Sequence, residues 1–315
     1  MQVIPKNLPI VLYPRYHQHM NYRGAYTALV TPFTTTGEVD EETLRTLVEA
    51  QIEGGIDGIV PCGTTGESPT LSHEEHNRVV ELVVKFVNGR CKVIAGTGSN
   101  STDEAIQLTR EAEAAGASAS LQVVPYYNKP TQEGLYQHFR AIAEQGGLPI
   151  IIYDIPGRTG VGIALETIVR LRTDLPQSII GVKEATGTTE RIAPLRARLG
   201  DEFSILSGDD SLTLPMMSLG ADGVISVASN VVPREVREMV HTALDGNFAE
   251  ARAMNARLAP IFKDLFIETN PIPVKAALAM GGRLQEIYRL PLTPMAVANR
   301  ARLEETLRKV GYLKK

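Results

Sequence analysis

Two cysteines in 315 residues, Cys62 and Cys91, are too few for a disulfide framework and match no zinc-ligand spacing. They read as free thiols in a reducing cytoplasm, with Cys62 expected to serve as packing. No apolar stretch approaches the length of a membrane span. A net charge of -4 offers no basic face for nucleic acid. No G-x-G-x-x-G follows the first strand-like run, which argues against a doubly wound dinucleotide-binding sheet. The first 23 residues contain no acid but several basic residues, two histidines and three prolines, Pro5, Pro9 and Pro14. Ile10-Val11-Leu12 is too short for a signal-peptide core, and the segment lacks the serine and amphipathicity of a transit peptide. It reads as a disordered extension, or as translation begun upstream of Met20, and is expected to take no part in the fold.

What is present is ordinary for a soluble globular chain, with 43% hydrophobic and 22% charged residues. From Gly24 onward, short apolar runs alternate with longer helical patterns. The runs 25–30, 58–61, 92–95, 118–124, 149–153, 179–183, 203–206 and 223–227 predict strands, and stretches such as 42–53 and 74–87 predict helices. Eight such alternations imply parallel βαβ units closed into a (β/α)8 TIM barrel over 24–230. Gly55, Gly116 and Gly220 open similar segments, each expected to end a helix and turn into a strand. The remaining residues, 231–315, read as a C-terminal helical subdomain punctuated by Pro260, Pro271, Pro273, Pro291 and Pro294.

Lys183 ends the apolar run 178–183. Burial there disfavours its charged form, and a pKa brought down by about 3 units, worth roughly 4 kcal/mol, would leave a nucleophile able to form a Schiff base. The plain alternative is a lysine reaching past the strand end into solvent. Polar groups gather at the C-terminal ends of the other runs, where a barrel carries its site. Gly63-Thr64-Thr65-Gly66 is either a nest for a carboxylate or an ordinary βα turn. It lacks the Gly-Lys-Ser/Thr ending of a phosphate loop. Tyr153 is either a proton shuttle or a structural phenol, and Arg158 either a carboxylate clamp or a solvated charge.

Taken together, these residues resemble the dihydrodipicolinate synthase family, among the pyruvate-dependent aldolases similar to N-acetylneuraminate lyase. The resemblance runs from about Gly24 to the C-terminus. It is carried by Gly63-Thr64-Thr65-Gly66-Glu67-Ser68, Val124-Pro125-Tyr126-Tyr127-Asn128, Tyr153-Asp154-Ile155-Pro156-Gly157-Arg158-Thr159-Gly160, Gly181-Val182-Lys183-Glu184-Ala185-Thr186-Gly187, Leu206-Ser207-Gly208-Asp209-Asp210 and Asn270-Pro271-Ile272-Pro273-Val274-Lys275. It implies condensation of pyruvate with L-aspartate 4-semialdehyde through an imine on Lys183, the committed step of diaminopimelate and lysine biosynthesis, with no metal or organic cofactor. It further implies a relay of Tyr153, Thr64 and, from a neighbouring subunit, Tyr127. Pyruvate would be held by Thr65 and the backbone at Ile225, with Gly208 among the substrate-binding positions and Arg158 receiving the semialdehyde carboxylate. A cytoplasmic homotetramer is implied as well. Asp154 departs from the asparagine common in the family, and strand alternation points it away from Tyr153.

Read from their spacing alone, Ser72 and Glu75 form a capping box, His73 and His76 share an exposed first turn, and Glu104 caps with Ser101. The resemblance adds another role. Ser68, Pro69, His73, His76, Asn100, Glu104 and Tyr126 match the positions at which lysine-inhibited members bind L-lysine, although alanine is often found where Pro69 stands. Two rivals remain open. One is a sugar-acid or sialic-acid lyase with the same imine lysine, and the other is a catalytically silent barrel that binds a 2-oxo acid.

Overall fold

Alternate residues of the strand-like runs face one another across a closed interior. The computed structural model describes residues 22–314. Its strands are β1 (Gly24–Ala28), β2 (Gly58–Val60), β3 (Lys92–Gly96), β4 (Ala119–Val123), β5 (Ile150–Asp154), β6 (Ile179–Glu184), β7 (Ser204–Ser207) and β8 (Gly223–Ser226). All pair in parallel with their sequence neighbours, and β8 returns to β1 to close the barrel. Tyr26, Val60, Ile94, Leu121, Ile151, Tyr153, Leu206 and Ile225 fill the interior, while Ile59, Val93, Ile152, Val182 and Val224 face the surrounding helices. Strand alternation, with successive side chains on opposite faces, produces both layers at once.

The outer ring and its extension are α1 (Glu41–Glu53), α2 (His73–Val87), α3 (Thr102–Ala115), α4 (Gln132–Gln145), α5 (Pro156–Thr159), α6 (Leu165–Asp174), α7 (Ile192–Leu199), α8 (Thr213–Ser218), α9 (Pro233–Leu244), α10 (Phe248–Asp264), α11 (Ile272–Met280) and α12 (Val297–Lys309). The predicted capping box opens α2, with Ser72 and Glu75 satisfying each other's backbone N–H. Gly55, Gly116 and Gly220 adopt left-handed φ of +78°, +93° and +108°, as helix-ending glycines require.

Three boundaries differ from the sequence reading. Residues 1–21 of the leader lie outside the described residues, but Tyr22 is fully buried. Its N–H donates to Ser204 Oγ at 3.0 Å, its hydroxyl donates to the Ser118 carbonyl at 2.8 Å, and its ring plugs the N-terminal mouth of the barrel beside Tyr26. Leader-like composition hides that role, because one aromatic is enough to seal the floor. At the other end, α9 packs against β1 and β8, so the ring of helices extends beyond residue 230. Pro260 lies inside α10 instead of ending it, whereas Pro271 precedes α11 and Pro273 stands in its first turn.

Candidate active site

Lys183 and Tyr153 are register partners on β6 and β5, and both point into the barrel near its C-terminal end. The Lys183 ammonium sits 4.1 Å from the centre of the Tyr153 ring. Lys183 is only 6% exposed, and its pKa is lowered to about 7. Burial is the largest cause. Buried Asp210 pulls in the opposite direction, and the Arg158 charge pushes the pKa further down. Asp210 was assigned no role from sequence. Its carboxylate accepts from Ser226 Oγ at 2.5 Å and from the N–H groups of Val227 and Ala228 at 3.0 and 2.9 Å, which fixes the end of β8 beside the lysine.

Tyr153 is also buried, and burial raises its phenol above the ordinary value. The nearby Arg158 charge and a contact with the Thr64 hydroxyl offset that rise in part. A protonated phenol beside an amine that is deprotonated in substantial part near neutral pH is the pairing that carbonyl addition and dehydration require. Gly208 makes room for it, since a Cβ there would meet Lys183 Cε at 3.1 Å and Ala185 Cβ at 2.6 Å. A cavity of about 50 Å³ over the lysine is lined by Thr64, Thr65, Tyr153, Arg158, Lys183 and Gly208, among others. Ile225 is buried in the barrel interior below it.

Asn270, which stands in the sequence as the first residue of the Asn270–Lys275 motif, proves central. Its amide donates to Thr65 Oγ1 at 2.9 Å, its backbone carbonyl accepts from Arg158 at 3.2 Å, and its side-chain Oδ1 is buried without a partner. The only sequence signal was a polar residue before a proline in a helical tail, which does not reveal that the tail folds back over the barrel mouth.

A larger cavity of about 460 Å³ adjoins the first through Thr64, Tyr153 and Arg158. Ser68, Pro69, His73, His76, Glu104 and Tyr126 all line it. Glu104 does not complete a capping box at α3. Its carboxylate instead accepts from the Ser99 hydroxyl and meets His73 Nε2 at 2.5 Å, and these contacts hold it below the usual carboxylate range despite partial burial. His76 differs from His73 in being buried, with Nε2 2.8 Å from the Gly96 carbonyl, and burial lowers its pKa. Asn100 stands at the rim, where its amide donates to the Tyr126 carbonyl at 3.1 Å. Tyr127 lines neither cavity: it is 90% exposed and holds a left-handed φ of +72°. Among the described residues, no group of three or more His, Cys, Asp or Glu side chains is placed to hold a metal ion, and no helix is long and apolar enough to cross a membrane.

Asp154 faces outward, opposite to Tyr153, as alternation predicts. Asp154 and Glu184 are register partners, both fully buried, and they share Arg191. Burial raises both carboxyls, and the single guanidinium counters it only in part. Replacing one member of such a group with a neutral isostere costs little, whereas removing the shared cation strands two charges. Asp154→Asn is therefore expected to change stability by no more than about 1 kcal/mol and turnover by less than about twofold, while Arg191→Ala costs about 3 kcal/mol. Urea unfolding of the two variants checks the contrast.

The Dihydrodipicolinate synthetase family model matches residues 21–310. The 4-hydroxy-tetrahydrodipicolinate synthase of Aquifex aeolicus (strain VF5) is 54% identical over 91% of this chain and 97% of its own. A crystal structure of dihydrodipicolinate synthase from Aquifex aeolicus superposes with a TM-score of 0.91 at 53% identity, covering 93% of this chain and all of that one. The lysine-bound enzyme from Cyanidioschyzon merolae superposes with a TM-score of 0.90 at 43% identity, covering 93% of this chain and 99% of its own. A barrel with an inward lysine and tyrosine on adjacent strands, matched over nearly its whole length by these relatives, belongs to the dihydrodipicolinate synthetase family.

Proposed function

We propose that the chain is a lyase of lysine biosynthesis that condenses pyruvate with L-aspartate 4-semialdehyde to 4-hydroxy-tetrahydrodipicolinate. The observation that carries this reading is the buried Lys183 amine, with a pKa near 7, beside a protonated Tyr153. Neutral Lys183 adds to the pyruvate C2 carbonyl, and Tyr153 supplies the proton with which the carbinolamine loses water to give an imine. Loss of a proton from the pyruvate methyl gives the enamine, whose carbon attacks the semialdehyde aldehyde. The amino group of the adduct then attacks C2, closes the ring and releases Lys183. Thr65 and the backbone at Ile225 hold the pyruvate carboxylate, Gly208 leaves space for the imine, and Arg158 receives the semialdehyde carboxylate. No dissociable cofactor takes part.

Thr64 extends the relay beyond Tyr153, and Tyr127 completes it in the site of a second copy of the chain. The exposure of Tyr127 and its neighbour Tyr126 supports an oligomer, which we place as a homotetramer of two tight dimers in the cytoplasm. The test is borohydride reduction in the presence of pyruvate, followed by peptide mapping and a coupled assay with the semialdehyde. An adduct on Lys183 with turnover supports the reading. An adduct without turnover would point to a sugar-acid lyase, and no adduct to a silent binder.

The larger cavity is assigned to L-lysine as an inhibitor. Glu104 pairs with its α-ammonium group, His73, His76, Ser68 and Pro69 line the side-chain path, and Asn100 and Tyr126 hold the carboxylate. The lysine-bound Cyanidioschyzon merolae relative supports this assignment. A charge-assisted hydrogen bond is worth about 1.5–3 kcal/mol. Glu104→Ala should therefore raise the half-inhibitory lysine concentration by roughly 10- to 100-fold. An unchanged inhibition curve in the coupled assay would remove Glu104 from the lysine site.

A further inference from the structure

Glu67 directly follows the Gly63-Thr64-Thr65-Gly66 turn, yet its carboxylate lines neither cavity. Its side chain is completely buried, 2.5 Å from the equally buried Nζ of Lys275 on α11. Apart from this contact, the ammonium faces the rings of Phe33 and Tyr288, at 4.3 and 5.3 Å. The second Glu67 oxygen accepts from the Arg289 N–H at 3.3 Å. A buried ion pair gains little for stability, because desolvation offsets most of the attraction, and neutral replacements of similar volume are often as stable. Two residues from Thr65, the pair needs another explanation.

The backbone supplies one. Glu67 holds a left-handed φ of +53°, uncommon for a residue other than glycine. Its N–H donates to the Thr64 carbonyl at 3.2 Å, and its own carbonyl accepts from Thr70 N–H at 2.9 Å. Fixing this side chain therefore fixes the turn that places Thr65 on the smaller cavity, Ser68 on the larger one and Thr64 between them. The same C-terminal stretch reaches the loop a second time, through the hydrogen bond from Asn270 to Thr65. Arg289 adds bonds to the Thr70 carbonyl and to Glu75.

We propose that Glu67 and Lys275 are a positioning pair through which the C-terminal helices set Thr64 and Thr65 against Lys183, and so set the affinity for pyruvate. Neither residue touches substrate. The proposal rests on the reading of Lys183 as the lysine that condenses with pyruvate.

The test uses the full chain with Glu67→Gln and Lys275→Met combined, which removes both charges together and leaves no buried ion stranded. Lys275→Met alone serves as the companion variant. The readout is the pyruvate concentration at which half of Lys183 is trapped by borohydride, taken beside thermal unfolding. The double variant is expected to unfold cooperatively near the parent temperature and to need about tenfold more pyruvate. The single variant should lose at least as much affinity. A folded double variant trapped within twofold of the parent concentration would overturn the proposal. A double variant that does not fold would overturn it as well, by assigning the pair to folding. A parent chain that forms no adduct would instead defeat the functional reading beneath it.

Discussion

Lys183→Met is expected to lower turnover by about three orders of magnitude or more while making the protein more stable. The loss follows from chemistry, since no other side chain at the floor of the cavity can form the imine. The gain follows from burial. A lysine whose pKa falls from 10.5 to about 7 in the folded protein costs, at about 1.36 kcal/mol per unit, on the order of 5 kcal/mol at or below neutral pH. Between about pH 7 and 10.5 the unfolded chain binds a proton at this site that the native state does not, so parent stability rises with pH across that window. The gap between variant and parent should be widest at or below pH 7 and close toward 10.5. Denaturant unfolding at three pH values measures it. The same titration governs activity: adduct formation from pyruvate should rise about tenfold per pH unit below about 7 and flatten above it. A parent more stable than the methionine variant at pH 7, or a rate without that bend, would sink the assignment.

Tyr153→Phe should lower turnover by about 10²- to 10³-fold, the usual worth of a positioned proton donor. Its signature differs from that of the lysine variant. Lys183 remains, so pyruvate should still be trapped by borohydride, slowly but to the parent extent. The phenol passes protons in both directions and so changes rates without shifting the equilibrium. Single-turnover trapping at saturating pyruvate separates the cases, and an adduct formed at the parent rate would demote Tyr153 to packing.

How much of this could be read from the chain differs residue by residue. Lys183 and Tyr153 each had an innocent reading when taken alone, and they stood out because polar groups gather at the same ends of the other apolar runs and fall in the motifs of one family. Strand alternation also turned Asp154 outward before any coordinate was needed. Asn270 and Asp210 were not legible as site residues. A polar residue before a proline and the second acid of a pair are common features, and their meaning depends on which loop they meet. Glu104 is intermediate. Its spacing from Ser101 suggested a cap, whereas the fold places α2 close enough for His73 to compete for its carboxylate.

By itself the sequence determined the eight-stranded barrel, the helices between its strands and the end of the barrel at which polar side chains gather. Those features depend on periodicity and turn residues a few positions apart, which are local and therefore written in order along the chain. Only the tertiary structure decided that Tyr22 seals the barrel floor, that Asn270 braces Thr65, and that Lys275 is buried against Glu67 more than 200 residues away. Such contacts are set by which surfaces meet when the chain closes on itself, at the barrel floor for Tyr22 and under the helical tail for Asn270 and Lys275. Side-chain identity alone does not encode that encounter.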